Sequence, residues 1–168
     1  MNKITIKETT TQDLSNLMCL WNNPEVMRFV GYPNGLEITM SKMLEWLPWA
    51  ISKPERCHYS IYFEERFCGE TFYNVDTIYE TAALDIKLVP DAQGRGIATQ
   101  ALCFAMREAF LIGNAKRVYV DPYPENQKAW KLYRKLGFIE RPRPEYLSEW
   151  ETYLEISFRD WKKASHES

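Results

Sequence analysis

The stretch Gln93-Gly94-Arg95-Gly96-Ile97-Ala98-Thr99 is the part of this sequence best suited to hold a ligand by its backbone. An apolar run precedes it and a long amphipathic run follows, so its glycine-freed N–H groups should lie at a helix N-terminus. There free donors and the helix dipole both favour an anion. That anion would be a phosphate, with three owners in question: a dinucleotide, a nucleoside triphosphate or coenzyme A. A dinucleotide turn wants Gly-x-Gly-x-x-Gly or Ala, but the series from Gly94 and Gly96 puts Thr99 in third place. A triphosphate loop wants Gly-Lys followed by Ser or Thr, and no such tripeptide occurs. Proton transfer could draw on Glu70, Asp76, Glu80 and Asp85, which precede the turn. Such carboxylates are mostly solvated surface charges, but Asp85 alternates with Leu84, Ile86 and Leu88 and so faces away from their side. Cys19, Cys57, Cys68 and Cys103 contain no Cys-x-x-Cys pair, and only His58 and His166 could supplement them. Zinc spacing is therefore absent, and the thiols read as reduced, partly buried side chains rather than nucleophiles; we expect no metal site.

The elements that must position these groups follow from periodicity. Residues 3–8 alternate as a strand, and Thr10 to Asp13 reads as a capping box for a helix with Leu14, Leu17, Met18 and Trp21 on its apolar face. A break at Asn22-Asn23-Pro24 introduces a short helical piece, and Gly31, Pro33 and Gly35 make a loop. Thr39 opens a helix whose apolar face is Met40, Met43, Leu44, Leu47, Ala50 and Ile51. Trp46 and Trp49 lie at its edge, as core packing or as one wall of an acceptor site. Strands are predicted over 58–63 and 66–75, joined by Glu64-Glu65, and over 84–89. The turn then opens a helix over 96–111 with a mostly alanine stripe, followed by a strand at 117–120. A helix over 126–136 ends at Gly137, Phe138 resumes the sheet, and 150–158 alternates as a last strand.

Gln93-Gly94-Arg95-Gly96-Ile97-Ala98 resembles the (Gln/Arg)-x-x-Gly-x-(Gly/Ala) turn of the GNAT N-acetyltransferase family, which binds the pyrophosphate of acetyl-CoA. Downstream, Asn126-Gln-Lys-Ala129-Trp-Lys-Leu-Tyr133-Arg-Lys-Leu-Gly137-Phe138 is similar to that family's Asn-x-x-Ala-x-x-x-Tyr-x-x-x-Gly-Phe signature in full. The resemblance is specific over 84–138 and extends over the chain in length and element order. It implies an α/β (α+β) fold, a mixed, mostly antiparallel sheet with a central parallel strand pair and helices on both faces. It also implies direct transfer of acetyl from acetyl-CoA to a primary amine. On that reading the backbone from Gln93 through Gly94, Arg95, Gly96, Ile97 and Ala98 to Thr99 holds the pyrophosphate, and main-chain groups of Ile86 and Leu88 pair with the pantetheine arm. Asn126 and Ala129 contact the coenzyme, and Tyr133 protonates the departing thiolate. Outside the resemblance, Ile86 and Leu88 are strand core, Asn126 is a helix cap and Tyr133 is a core-edge residue. An alkyl ammonium with a pKa near ~10 costs about 4 kcal/mol to deprotonate at neutral pH, so a base is required. Asp85 is its first candidate and Glu70 its second. Asp85, with Asp121-Pro-Tyr-Pro-Glu-Asn126, resembles the aminoglycoside 6'-N-acetyltransferases, whereas the segment 13–31 resembles acetyltransferases of ribosomal-protein N-termini. The acceptor therefore stays open, leaning to a small polyamine or aminoglycoside-like amine over a peptide N-terminus. A non-catalytic acyl-CoA-binding module is the rival from another class.

Composition sets the outer limits. At 168 residues, with 45% hydrophobic and 26% charged side chains, the chain reads as one globular domain over 1–168. A net charge of -2 gives no footprint for nucleic acid. The opening residues carry no apolar signal core and no run reaches the ~20 apolar residues of a membrane span, so a cytoplasmic protein, monomer or homodimer, is expected.

Overall fold

Period-two alternation lays down a seven-stranded sheet in the computed structural model, which describes residues 3–166. The strands β1 (Ile4–Glu8), β2 (Arg56–Phe63), β3 (Arg66–Asp76) and β4 (Thr81–Leu88) run antiparallel in sequence order. β5 (Arg117–Val120) joins β4 in parallel, and β7 (Leu154–Ser157) and β6 (Ile139–Glu140) complete the order β1-β2-β3-β4-β5-β7-β6. The mixed sheet with one central parallel pair is as expected. Glu64 and Glu65 make the β2–β3 turn, both at positive φ (47° and 66°), the left-handed pair that a two-residue hairpin demands.

Helices cover both faces: α1 (Leu14–Trp21), α2 (Pro24–Met27), α3 (Met40–Ala50), α4 (Ile97–Leu111), α5 (Gln127–Lys135) and α6 (Phe158–His166). Cys57, Tyr59, Tyr73, Val75, Ala82 and Leu84 point to the side of α4, whose Ala101, Ala105 and Ala109 are fully buried. Three alanines on one stripe bring that helix close to the sheet. Trp130 and Tyr133 of α5, with Val118, Val120, Leu154 and Ile156, extend the same core. On the opposite face α1 and α3 pack together through Leu14, Leu17, Met43 and Leu47 and lean on the sheet through Trp21 and Trp46.

Three expectations are corrected. The last strand covers only 154–157, although alternation runs from Trp150 to Phe158. Its partner β5 offers four residues, Thr152 is turned away to donate to the Pro122 carbonyl at 2.6 Å, and Ser157 accepts from the Asp160 N–H at 3.1 Å to open α6. Leu44, assigned to the apolar face of α3, is 49% exposed; Trp46 occupies the place at the sheet, edge-on to Trp21 and to His58 at 4.8 Å each. β4 begins at Thr81 rather than 84, because Glu80 at positive φ closes the hairpin there.

Candidate active site

β4 and β5 pair only through Thr81–Arg117, Ala82–Val118 and Ala83–Tyr119, and beyond Ala83 the two strands part. The remainder of β4 stays paired with β3. Val89 N–H donates to the Cys68 carbonyl at 2.9 Å, so by strand alternation residues 85, 87 and 89 turn their main-chain groups to β3. Ile86 and Leu88 turn theirs into the fork. The Ile86 N–H there is met by its neighbour's side chain, Asp85 Oδ1, at 2.9 Å. A fork edge of this kind offers an extended ligand the hydrogen bonds of a strand.

The fork leads to the glycine turn. Gly94 and Gly96 both take φ 75°, in the left-handed region, and a Cβ added to either would meet nothing within 4 Å. Gly96 is the N-cap of α4 and no side chain caps that helix, so its first N–H groups face the open space beside the turn. Gln93 and Arg95 are exposed, Ala98 and Thr99 are partly so, and Ile97 is buried at 1% exposure, leaving only its backbone for a ligand. The turn thus has the shape and the donors for a pyrophosphate.

Asn126 is the N-cap of α5: its Oδ1 accepts from Ala129 N–H at 3.2 Å. The cap uses the amide oxygen and leaves the NH2 group for another partner. Two turns along, Tyr133 is 8% exposed and packs edge-on to Phe138. Burial pushes its phenol above the ordinary tyrosine value, and the charges of Asp85 and Asp121 add to that, with Lys87 acting the other way. Tyr133 is therefore a protonated donor within electrostatic reach of Asp85 and Lys87.

The expected carboxylate group divides. Asp76 and Glu80 stay at the far end of the β3–β4 hairpin, where Asp76 accepts from the N–H groups of Ile78 and Tyr79, and Glu80 pairs with Lys116. Glu70 and Asp85 share one sheet face and are joined by Lys87, which donates to Glu70 Oε1 at 3.1 Å and contacts Asp85 Oδ2. Glu70 is no solvated surface charge: it is 2% exposed under α1 and α3. Its Oε2 lies 2.6 Å from His58 Nε2 and accepts from Trp21 Nε1 at 2.9 Å. Thr9 Oγ closes the row, 2.7 Å from His58 Nδ1 and 2.8 Å from Ser60 Oγ. Burial alone would push the Glu70 carboxyl up; the Lys87 ammonium, the His58 ring and the two hydrogen bonds outweigh it and hold the group below the usual carboxylate range. Lys87 also resists burial, because Asp85 and Glu70 keep its ammonium above the ordinary lysine value. Asp85, by contrast, has a side chain 44% exposed.

Lys87 was not singled out from the sequence, and His58 was weighed only as a companion to the cysteines. Both were nonetheless visible as polar residues alternating with apolar ones, Lys87 two places from Asp85 and so on its face. Cys57 and His58 point to opposite faces of β2, and burial pushes the Cys57 thiol up to about 11, which leaves it inert. Among the described residues no cluster of three or more His, Cys, Asp or Glu could hold a metal, and no helix is long and apolar enough to cross a membrane.

Similarity to known proteins agrees with this geometry. The family profile described as an acetyltransferase (GNAT) domain matches residues 3–139. A spermidine N(1)-acetyltransferase of Escherichia coli strain K12 is 38% identical over 64 residues, 38% of this chain. One from Vibrio cholerae is 33% identical over 66 residues, 39% of this chain. The matched stretch spans only 34% and 38% of those proteins' own lengths. Among solved structures, the spermidine N-acetyltransferase of Vibrio cholerae in complex with CoA and spermine superposes with a TM-score of 0.80 over 95% of this chain and 98% of that one, at 21% identity. A GNAT-family acetyltransferase of Streptococcus pneumoniae does so at 0.77, over 93% and 100%, at 19% identity. These are likenesses of fold.

Proposed function

The chain belongs to the GNAT acetyltransferase family, and from that premise we propose that it transfers acetyl from acetyl-CoA to a primary amine of a small polycationic molecule, a polyamine of the spermidine type in first place. The observation that carries the reading is the open edge of β4 beyond Ala83, which bears Asp85 and is followed by the glycine turn at the uncapped N-terminus of α4. The glycine turn from Gln93 to Thr99 receives the pyrophosphate, with Arg95 adding charge. Ile86 and Leu88 meet the pantetheine amides, and Asn126 and Ala129 line the same arm. Acetyl-CoA, when bound, supplies the acyl carbon that the amine attacks and the sulfur that departs.

The residues then divide the proton work. Asp85 receives the amine proton as the nitrogen adds; it is the exposed member of the carboxylate pair and stands at the fork. Tyr133, held protonated by burial, donates its hydroxyl hydrogen bond to the departing sulfur and stabilises the thiolate, whose own pKa near ~8.5 lets it leave and then take its proton from solvent. Glu70 is enclosed and already ionised by its partners, so its place is behind Asp85 rather than beside the amine. Asp85, the carboxylate of this cluster with an exposed side chain, presents its charge where a cationic acceptor would arrive.

The relatives named for spermidine support the polyamine class. Asp85 on β4 also fits an aminoglycoside-like amine, which shares the same cationic chemistry. The deciding experiment presents acetyl-CoA with spermidine and spermine, aminoglycosides and N-terminal peptides, and follows thiol release. Turnover is expected with a polyamine or aminoglycoside; selective turnover of peptides would replace this reading with the protein-modifying one. Absence of release with every amine, alongside normal coenzyme binding, would leave an acyl-CoA-binding module.

A further inference from the structure

Lys87 has no place in the chemistry above, yet it is the side chain through which Asp85 is attached to the protein interior. We propose that Lys87 is a positioning residue for the acetyl transfer, holding the Asp85 carboxylate at the mouth of the fork while the buried Glu70 holds Lys87; the inference rests on the reading of Asp85 as proton acceptor. Asp85 and Lys87 are two apart on β4 and share a face, and Glu70 is the direct cross-strand partner of Lys87 on β3. The Lys87 side chain is 11% exposed, so its normally mobile stem is confined. Glu70 cannot yield, since three donors from α1, β2 and β4, namely Trp21, His58 and Lys87, converge on its two oxygens. His58 in turn is set by Thr9 and by the edges of Trp21 and Trp46. The row runs from rigid to free, and Asp85 is its free end.

An ammonium beside a site for a cationic substrate works against substrate attraction, so neutralising Glu70 alone would be a poor use of it; an apolar pair at 70 and 87 would do as well. What an apolar pair cannot do is grip Asp85. Without Lys87 the Asp85 side chain keeps one tie among the described residues, to the Ile86 N–H, which is the donor the pantetheine arm also requires. Lys87 is then the contact that remains when coenzyme is bound. Small losses of orientation in a catalytic group are known to cost rate more than affinity.

The test compares Lys87→Met, Lys87→Arg and the double variant Glu70→Gln/Lys87→Met, which removes both buried charges and so separates positioning from simple charge balance. With the best acceptor from the screen, Lys87→Met and the double variant are expected to lose about tenfold or more in kcat, with acceptor KM and coenzyme Kd changed much less. Lys87→Arg should recover most of the rate, because a guanidinium can still reach Asp85. A double variant with wild-type kcat would overturn the proposal and reduce Lys87 to a counter-charge. Crystals of the coenzyme-free proteins give a readout independent of turnover: the Asp85 side chain should leave its present rotamer in the double variant and keep it in Lys87→Arg. An unmoved Asp85 would also overturn the proposal. A wild-type protein inactive toward every amine overturns the proton-acceptor reading alone, since the rotamer comparison still decides whether Lys87 holds Asp85.

Discussion

Tyr133 combines a buried ring with a hydroxyl that makes no hydrogen bond among the described residues, as the proposed donor to the thiolate should. Tyr133→Phe removes one oxygen without disturbing the packing on Phe138. Turnover is expected to fall about 100-fold, the scale of general-acid catalysis, while coenzyme affinity by calorimetry stays near wild type. Unchanged turnover with a good acceptor would remove Tyr133 from the chemistry. Glu70 makes a prediction of a different kind. Its carboxyl is held below the ordinary value of 4.5, so the unfolded chain takes up the proton first as pH falls. The stability it confers is complete above that pH and is lost as pH drops below it through the folded value. Urea melts of the wild type should weaken in that acid window, and Glu70→Gln should flatten the dependence there. Truncation to Glu70→Ala, which leaves Trp21 and His58 without their acceptor and Lys87 with Asp85 alone, is expected to cost about 3 kcal/mol or more at neutral pH. At this scale the sequence was half legible. The alternation of β4 gave the side that Asp85 faces, whereas the burial of Glu70 depends on α1 and α3 closing over a residue 49 positions away from Trp21.

The turn between β4 and α4 is an element whose job shows in what it omits. Gly96→Asp would strain a backbone at φ 75° by ~1 kcal/mol and put a carboxylate where free N–H groups converge. The melting temperature should move only a few degrees, and coenzyme binding in calorimetry should vanish; retained affinity would move the pyrophosphate elsewhere. The order of strand, turn and helix here is legible in the sequence because glycine, strand and helix signals are all local. The end of the chain was misread for the opposite reason. Alternation at 150–158 promised a strand, but β5 is too short to pair with it, and the local sign of what happens instead, Ser157 three residues before Asp160, was overlooked. Ser157→Ala should cost about 1 kcal/mol and loosen Phe158 and Trp161 from Phe110, which denaturant melts would register.

Across the molecule the site is assembled from both ends of the core: α4 and α5 bring the turn and Tyr133, and the α1–α3 side holds the row behind Asp85. The mixed sheet and its parallel pair followed from element order and from the family resemblance, since β4 and β5 are separated by a helix and that connection makes neighbours parallel. The row of Thr9, His58, Glu70 and Lys87 could not follow, because the last three come from three different strands and Thr9 from just beyond β1, in a register that only the folded sheet establishes. Coenzyme should slow amide exchange at Leu88 and from Gly94 to Thr99 while leaving the β2–β3 ladder unchanged; protection spread evenly over the sheet would argue for simple global stabilisation. The fork has one more effect. A sheet with a gap in its middle has a third edge, and unpaired strand edges invite other chains to add to them. Here the Ile86 N–H of that edge is covered by a carboxylate. With that carboxylate removed the edge donor is bare, so Asp85→Ala should aggregate sooner on storage without coenzyme than with it.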